Sequence, residues 1–336
     1  MHAGFGLAIA LAFAFALTNG FHDASNAIAT LVATRAARPV QAVVLAAVFN
    51  LLGPLVVGAA VADTIGGIVT LGQQEAIEVI GAGLLAAVAW NVVTWWLGLP
   101  SSSGHALVGG LVGAGVVQGG ADAILWGGLD GIHPVGVFGT LIALALSPIF
   151  GLLAALILIR GIRAAGRRAT RRWRVPVRAG QWVTAAALAL SHGANDAQKG
   201  AGVVAALLVA DGRISHLAPP TWVELGCAAA LTVGTAFGGW RIVRTVGRRI
   251  YRIRPVDGLA ASGASAGVIL VASIVGGPVS TTQVVASAVV GVGGGRRRWH
   301  HVHWAIVRHI GLAWVITMPA TAALGAVALV VWRWAV

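Results

Sequence analysis

Charge is what this 336-residue chain has least of: Asp, Glu, Lys and Arg together make up 10% of it, against about 25% in a soluble globular domain. Apolar residues make up 58%. These two figures exclude an ordinary soluble fold and identify an integral membrane protein. Cysteine is nearly absent. The lone Cys227 lies in an apolar segment, which rules out an intrachain disulfide and leaves the redox compartment unread. Lysine is equally scarce: of 23 basic residues, all but Lys199 are arginine. The formal charge of +13 would point to nucleic acid in a soluble protein, but the arginines are confined to short loops between apolar runs. That distribution is a membrane-topology signal, and no nucleic-acid partner is expected. No nucleophile and base pair stands beside a metal-ligand cluster, so an enzyme is not expected.

A membrane span needs about 20 apolar residues. Candidate runs lie at 4–32, 40–62, 79–97, 106–117, 135–159, 182–210, 222–240, 259–275, 284–292 and 302–331, and two of them, 106–117 and 284–292, are too short to cross. The first run has no basic n-region and no A-x-A site before its polar motif, so it reads as a retained span. Arginines then set orientation. Eight lie between 160 and 178, six between 241 and 254 and three at 296–298, with Arg35 and Arg38 at an earlier turn; these loops are expected in the cytoplasm. The acidic loops with Asp63, Glu75 and Glu78, with Asp122 and Asp130, and at 211–220 take the other side. Both chain ends then fall outside, in a multi-pass protein of the plasma membrane. Trp173, Trp182, Trp222, Trp240, Trp299, Trp304, Trp332 and Trp334 fall near span ends, where indoles prefer the interface.

Two polar motifs interrupt the apolar runs. Segment 191–200, Ser-His-Gly-Ala-Asn-Asp-Ala-Gln-Lys-Gly, repeats segment 20–26, Gly-Phe-His-Asp-Ala-Ser-Asn, with Gly20, Asp23 and Asn26 opposite Gly193, Asp196 and Lys199. Two later turns, at 98–103 and 276–283, repeat as well: Pro100, Ser102, Ser103 and His105 fall opposite Pro278, Ser280, Thr281 and Gln283. Tracing the chain through its basic and acidic loops gives the two halves opposite orientations. The sequence therefore reads as an all-α polytopic membrane protein with two inverted-topology repeats, broken helices and re-entrant helical hairpins. Repeat 1 occupies 1–134, a connecting helix and basic cytoplasmic loop 135–180, and repeat 2 with a final helix 181–336. This is the architecture of secondary transporters, with the site at the midplane.

Proline followed by hydroxyls marks a helix start. Pro100 with Ser101, Ser102 and Ser103, and Pro278 with Ser280, Thr281 and Thr282, thus predict two helix N-termini at membrane depth. Their unpaired N–H groups and positive dipole ends suit an anion, and the hydroxyls add donors for the oxygens of a tetrahedral oxyanion. Asp23 and Asp196 would overload such a site with negative charge, so cations must enter with the anion. Three kinds fit: protons on the carboxylates, alkali ions, or a divalent metal held by Asp23 and Asp196 and carried with the anion. Lys199 puts an ammonium where the first repeat has Asn26, whose carbonyl oxygen suits a cation. Proton coupling is therefore preferred to sodium coupling, with His22, His105, His192 and, at the matching tip position, Gln283 as relay candidates. All of these cations travel, and no permanently bound cofactor is expected. An ion channel would also use helix ends at depth. The triplet His300, His301 and His303, beside the arginines at 296–298, reads as a solvated cytoplasmic cluster rather than a metal site.

The residues at 20–27, the segment Trp90-Asn-Val-Val-Thr-Trp-Trp-Leu-Gly-Leu-Pro100 with its serines, the motif at 191–200 and Pro278-Val-Ser-Thr-Thr282 resemble those of the PiT family of inorganic phosphate transporters over nearly the whole length. The resemblance implies low-affinity phosphate uptake by cation symport and a homodimer of inverted-repeat protomers. It implies Asp23, Asn26, Asn195 and Asp196, with the hairpin hydroxyls, as ligands of phosphate and cation. Members with Gln-Lys-Gly after the second aspartate resemble the proton-coupled carriers of metal-phosphate. The chain departs from the family pattern at Gln283, where a histidine is usual, and at Gly104, where a further serine is common. Some members look like sulfate carriers; carboxylates facing the ligand favour phosphate, whose proton they can accept.

Overall fold

The computed structural model describes residues 3–166, 173–237, 239–296 and 298–335. The chain is almost wholly helical: α1 (Ala3–Ala33), α2 (Pro39–Val57), α3 (Ala60–Gly66), α4 (Gln73–Leu97), α5 (Ser103–Gly119), α6 (Gly136–Ala165), α7 (Arg174–Ala210), α8 (Thr221–Phe237), α9 (Trp240–Arg244), α10 (Pro255–Ile274), α11 (Thr281–Gly295) and α12 (Trp304–Ala335). Seven helical stretches among the described residues are long and apolar enough to cross a membrane. They include Ser103–Ala123, where α5 continues into a 3-10 turn and reaches 21 residues, so the run at 106–117 is not too short after all. Helix α7 has 37 residues but is not among the seven, because its polar motif lowers its hydropathy. Arg160 and Arg163 lie on α6, and Arg174 and Arg178 on α7; Arg167, Arg168, Arg171, Arg172 and Arg297 lie outside the described residues.

The packing pairs the elements crosswise. Helix α1 lies on α8 and α7 on α2; α4 lies on α1 and α10 on α7; α5 lies on α12 and α11 on α6. In lipid no hydrophobic drive brings apolar helices together, and close approach at small residues does the work. Two crossings use glycine pairs at backbone contact. A Cβ at Gly20 would lie 2.1 Å from the Leu231 carbonyl oxygen, and one at Gly234 2.0 Å from that of Leu17, where α1 meets α8. Where α7 meets α2, a Cβ at Gly193 would lie 2.2 Å from the Asn50 carbonyl oxygen and one at Gly53 2.4 Å from that of Leu190. Gly20 and Gly193 are the matched glycines of the two polar motifs. These crossings bury residues 22–31 of α1 and 191–205 of α7 on every side.

Three further details differ from the sequence reading. The fold is not purely helical: Gly128–Asp130 and His133–Val135 form a two-stranded antiparallel hairpin in the second acidic loop. Its two-residue turn begins at Gly131, whose φ of 61° suits a tight hairpin. Pro100 and Pro278 do not begin their helices. They stand two residues ahead of the caps Ser102 and Ser280, in the extended tips. Trp332, expected at an interface, is buried against α4, where Gly81 leaves room for its ring. The other tryptophans predicted near span ends are exposed or half-buried, and His300, His301 and His303 are exposed.

Replacing Gly193 by alanine drives a methyl group into backbone that cannot yield. We expect a loss of about 3 kcal/mol or more, read as a lower melting temperature and a loss of monodisperse protein in detergent.

Candidate functional site

The two helix breaks are built alike. After α4, Gly98 turns the chain at φ 71°, and after α10, Gly276 does so at φ 75°. The same ladder follows each glycine. Gly98 N donates to Trp95 O, Leu99 N to Thr94 O and Ser101 N to Leu99 O; Gly276 N donates to Ser273 O, Gly277 N to Ala272 O and Val279 N to Gly277 O. Each helix then restarts under a serine cap. The Ser102 hydroxyl accepts from His105 N, and the Ser280 hydroxyl from Gln283 N, both at 3.3 Å. Backbone of this kind survives at membrane depth only when protein surrounds it. All fifteen residues of α11 are buried.

At the start of α11, the hydroxyls of Thr281 and Thr282 point to where α1 and α7 bring their acids. Thr281 Oγ1 donates to Asp23 Oδ2 at 3.3 Å and to Asp196 Oδ2 at 3.0 Å. Thr282 Oγ1 donates to Asp23 Oδ1 at 2.9 Å. With both hydroxyl protons so committed, Asn26 must turn its amide nitrogen to the threonines, at 3.3 and 3.1 Å. Its carbonyl oxygen, expected toward a cation, accepts from Ser25 instead. Asp23 and Asp196 are 1% and 0% exposed. Carboxylates so placed need compensation, since an unpaired charge in low dielectric costs several kcal/mol.

Each acid has a histidine. His22 Nδ1 lies 2.8 Å from Asp23 Oδ1, and its Nε2 meets the hydroxyls of Thr94 and Ser101, each at 3.2 Å. His192 Nε2 lies 2.9 Å from Asp196 Oδ2, and its Nδ1–H donates to Asn50 Oδ1 at 3.1 Å. Asn50 donates in turn to the Thr235 hydroxyl at 3.1 Å. Asp196 also accepts from Lys199 Nζ at 2.5 Å, and the same ammonium reaches the Val279 carbonyl at 2.7 Å. One atom each from Asp23, His192 and Asp196 lies within 4.8 Å of the other two.

The remaining predicted residues divide. Asn195 donates to the Ser273 hydroxyl and the Gly277 carbonyl, which ties α7 to the second tip and leaves its own carbonyl oxygen unpartnered among the described residues. Ser101 belongs to the His22 cluster and Ser102 and Ser280 cap their helices, while Ser103 is buried at the first residue of α5. His105 and Gln283 touch neither aspartate; the His105 Nδ1 and Gln283 Oε1 atoms are buried without partners among the described residues. Sequence reasoning missed Asn50, Thr235, Thr94 and Ser273. Asn50 left a signal, as an amide in the middle of an apolar run.

Residues 19–325 match the phosphate transporter family. The chain belongs to that family. Family members are transporters and not enzymes, and this chain is a multi-pass membrane phosphate transporter of that kind. It is 43% identical over 325 residues to a probable low-affinity inorganic phosphate transporter of Rhizobium meliloti, covering 95% of this chain and 93% of the relative. A protein of the same description from Bacillus subtilis is 40% identical over 324 residues, covering 96% and 95%. Among solved structures, one described as the sodium-dependent phosphate transporter superposes with a TM-score of 0.85 at 23% identity, covering 99% of this chain and 100% of that one, a likeness of fold.

Thr281 is the hydroxyl that joins the two carboxylates. Thr281→Val keeps its shape and removes the donor, so the detergent-solubilised protein is expected to lose about 1–3 kcal/mol of stability, while Thr281→Ser retains most of it. Melting temperatures of the three proteins check this.

Proposed function

We propose that this chain takes up inorganic phosphate by cation symport, with the low affinity that its relatives' names state, and with protons preferred to sodium as the coupling cation. One observation carries the reading: carboxylates from two matched helices share the Thr281 hydroxyl at the N-terminus of α11, away from water. A helix N-terminus with flanking hydroxyls is an oxyanion site. With His22 and His192 neutral, Asp23 and Asp196 outweigh Lys199 by one negative charge before any substrate arrives, and a phosphate dianion would deepen that excess. Transport must therefore bring positive charge with it.

In this reading Thr281, Thr282, Ser280 and the tip serines Ser101, Ser102 and Ser103 donate to phosphate oxygens, with Asn26, Asn195 and Lys199 beside them. Asp23 and Asp196 are the two candidate acceptors of the cation. Proton coupling is favoured because an ammonium already stands on Asp196 and a histidine stands on each aspartate; His105 and Gln283 lie one step further out. A divalent metal travelling with phosphate is the second form of the cargo, held by Asp23 and Asp196. The repeats 1–134 and 181–336, joined through 135–180, are proposed to have inverted topology. That places the arginine loops in the cytoplasm and both ends outside, in a homodimeric plasma-membrane carrier.

Proteoliposomes decide between the alternatives. Labelled phosphate should accumulate under an inward proton gradient and be competed by arsenate more strongly than by sulfate. Strict sodium dependence would overturn the choice of cation, and equal displacement by sulfate the choice of substrate. Asp196→Asn should abolish uptake while the protein still inserts; retained uptake would remove Asp196 from the mechanism.

A further inference from the structure

Lys199 is 1% exposed in the middle of α7. Its two oxygen partners are Asp196 Oδ1 at 2.5 Å and the Val279 carbonyl at 2.7 Å. A carboxylate and a carbonyl from a broken helix are the ligands that a dehydrated alkali ion takes in a transporter. Here an ammonium on a side chain holds that position, and by bonding to Val279 it also ties the second tip to α7. Asp23 is treated differently. Its partners are the hydroxyls of Thr281 and Thr282 and the ring of His22, and the residue matched to Lys199, Asn26, offers a neutral amide to the same hydroxyls. Compensation is built in at Asp196 and must be brought to Asp23.

Building on the symport reading above, we propose that Lys199 is a built-in counter-ion standing in for one travelling cation, so that only the Asp23 carboxylate takes up a coupling cation in each cycle. The two motifs then divide the work: the second carries its cation permanently, and the first exchanges one with the solution. An ammonium tethered at i+3 on the same helix as its carboxylate cannot leave with the substrate, whereas an ion in its place could.

The test compares the wild type with Lys199→Asn, which restores the residue of the first motif. In proteoliposomes the measured quantity is the phosphate accumulation ratio at which net uptake stops, under an imposed sodium or lithium gradient at fixed pH and membrane potential. A tenfold gradient is expected to raise that ratio by about tenfold more in the variant than in the wild type, one extra ion being carried per phosphate. An inserted, active variant that follows the gradient as the wild type does would overturn the proposal. Where Lys199→Asn shows no uptake, heat stability decides. Purified Lys199→Gln should gain stability saturably with sodium or lithium, beyond any gain in the wild type; an equal response of both proteins would overturn the idea. So would a Lys199→Gln protein that cannot be recovered even when extracted in high sodium or lithium, since a free ion would then fail to replace the ammonium. A wild type that takes up no phosphate defeats the transport reading itself, and the heat-stability comparison still judges Lys199.

Discussion

Two carboxylates held out of water within reach of one hydroxyl are the constraint from which the rest of this structure follows. Left alone, Asp23 and Asp196 would repel each other in low dielectric and unfold the middle of the molecule. They stay because donors converge on them from three elements. The broken hairpin supplies hydroxyls at the start of α11, α1 supplies His22, and α7 supplies an ammonium and sets His192 beside Asp196. Every donor needs its own support, and the structure provides it: Asn50 and Thr235 hold His192, and Thr94 and Ser101 hold His22. The polar network is nearly closed, and satisfied networks of this kind fix one arrangement of the helices that carry them.

That network can exist only where apolar helices wrap it completely. The glycine crossings accomplish this by letting α8 lie directly on α1 and α2 directly on α7, so that each motif is covered by the other half of the chain. Had each half packed only on itself, the motifs would have faced outward, toward lipid that offers no hydrogen bonds. Close packing and the polar centre therefore depend on the same residues. Gly20 and Gly193 belong to the motifs that bear the aspartates, and the small side chain that admits the neighbouring backbone stands one turn from the acid it shields.

Much of this was legible in the sequence because it rests on spacing. Matching Pro100 to Pro278 predicts which backbone groups pair in each tip, and the hydrogen bonds from Gly98 to Ser101 and from Gly276 to Val279 follow that alignment residue by residue. The caps at Ser102 and Ser280 follow from residue type. What spacing could not carry is the difference between the halves. A repeat treats Ser103 and Thr281 as equals, yet both aspartates bond to the tip that carries Thr281 and neither to the tip that carries Ser103. Alignment of the two tips in sequence makes them equivalent, while this single conformation uses one of them. The β-hairpin at 128–135 and the burial of Trp332 were also out of reach. The first depends on a local turn of glycine, the second on a gap at Gly81 that only packing reveals.

The unequal use of the tips bears directly on how substrate and cation are linked in the proposed cycle. Thr281 and Thr282 have one hydroxyl proton each, and both are given to carboxylates. An arriving oxyanion needs those same protons and the amides behind them, so it competes with the protein's own acids for one set of donors. At equal charge the tethered carboxylates win, because they lose no translational freedom. The balance shifts once positive charge reaches Asp23, since a neutralised carboxyl accepts hydrogen bonds more weakly and no longer repels the newcomer. Cation and oxyanion then help each other bind by necessity, as linked ligands of one site. No signal need travel between distant sites: the coupling is the exchange of two threonine hydroxyls from an acid of the protein to an acid of the substrate.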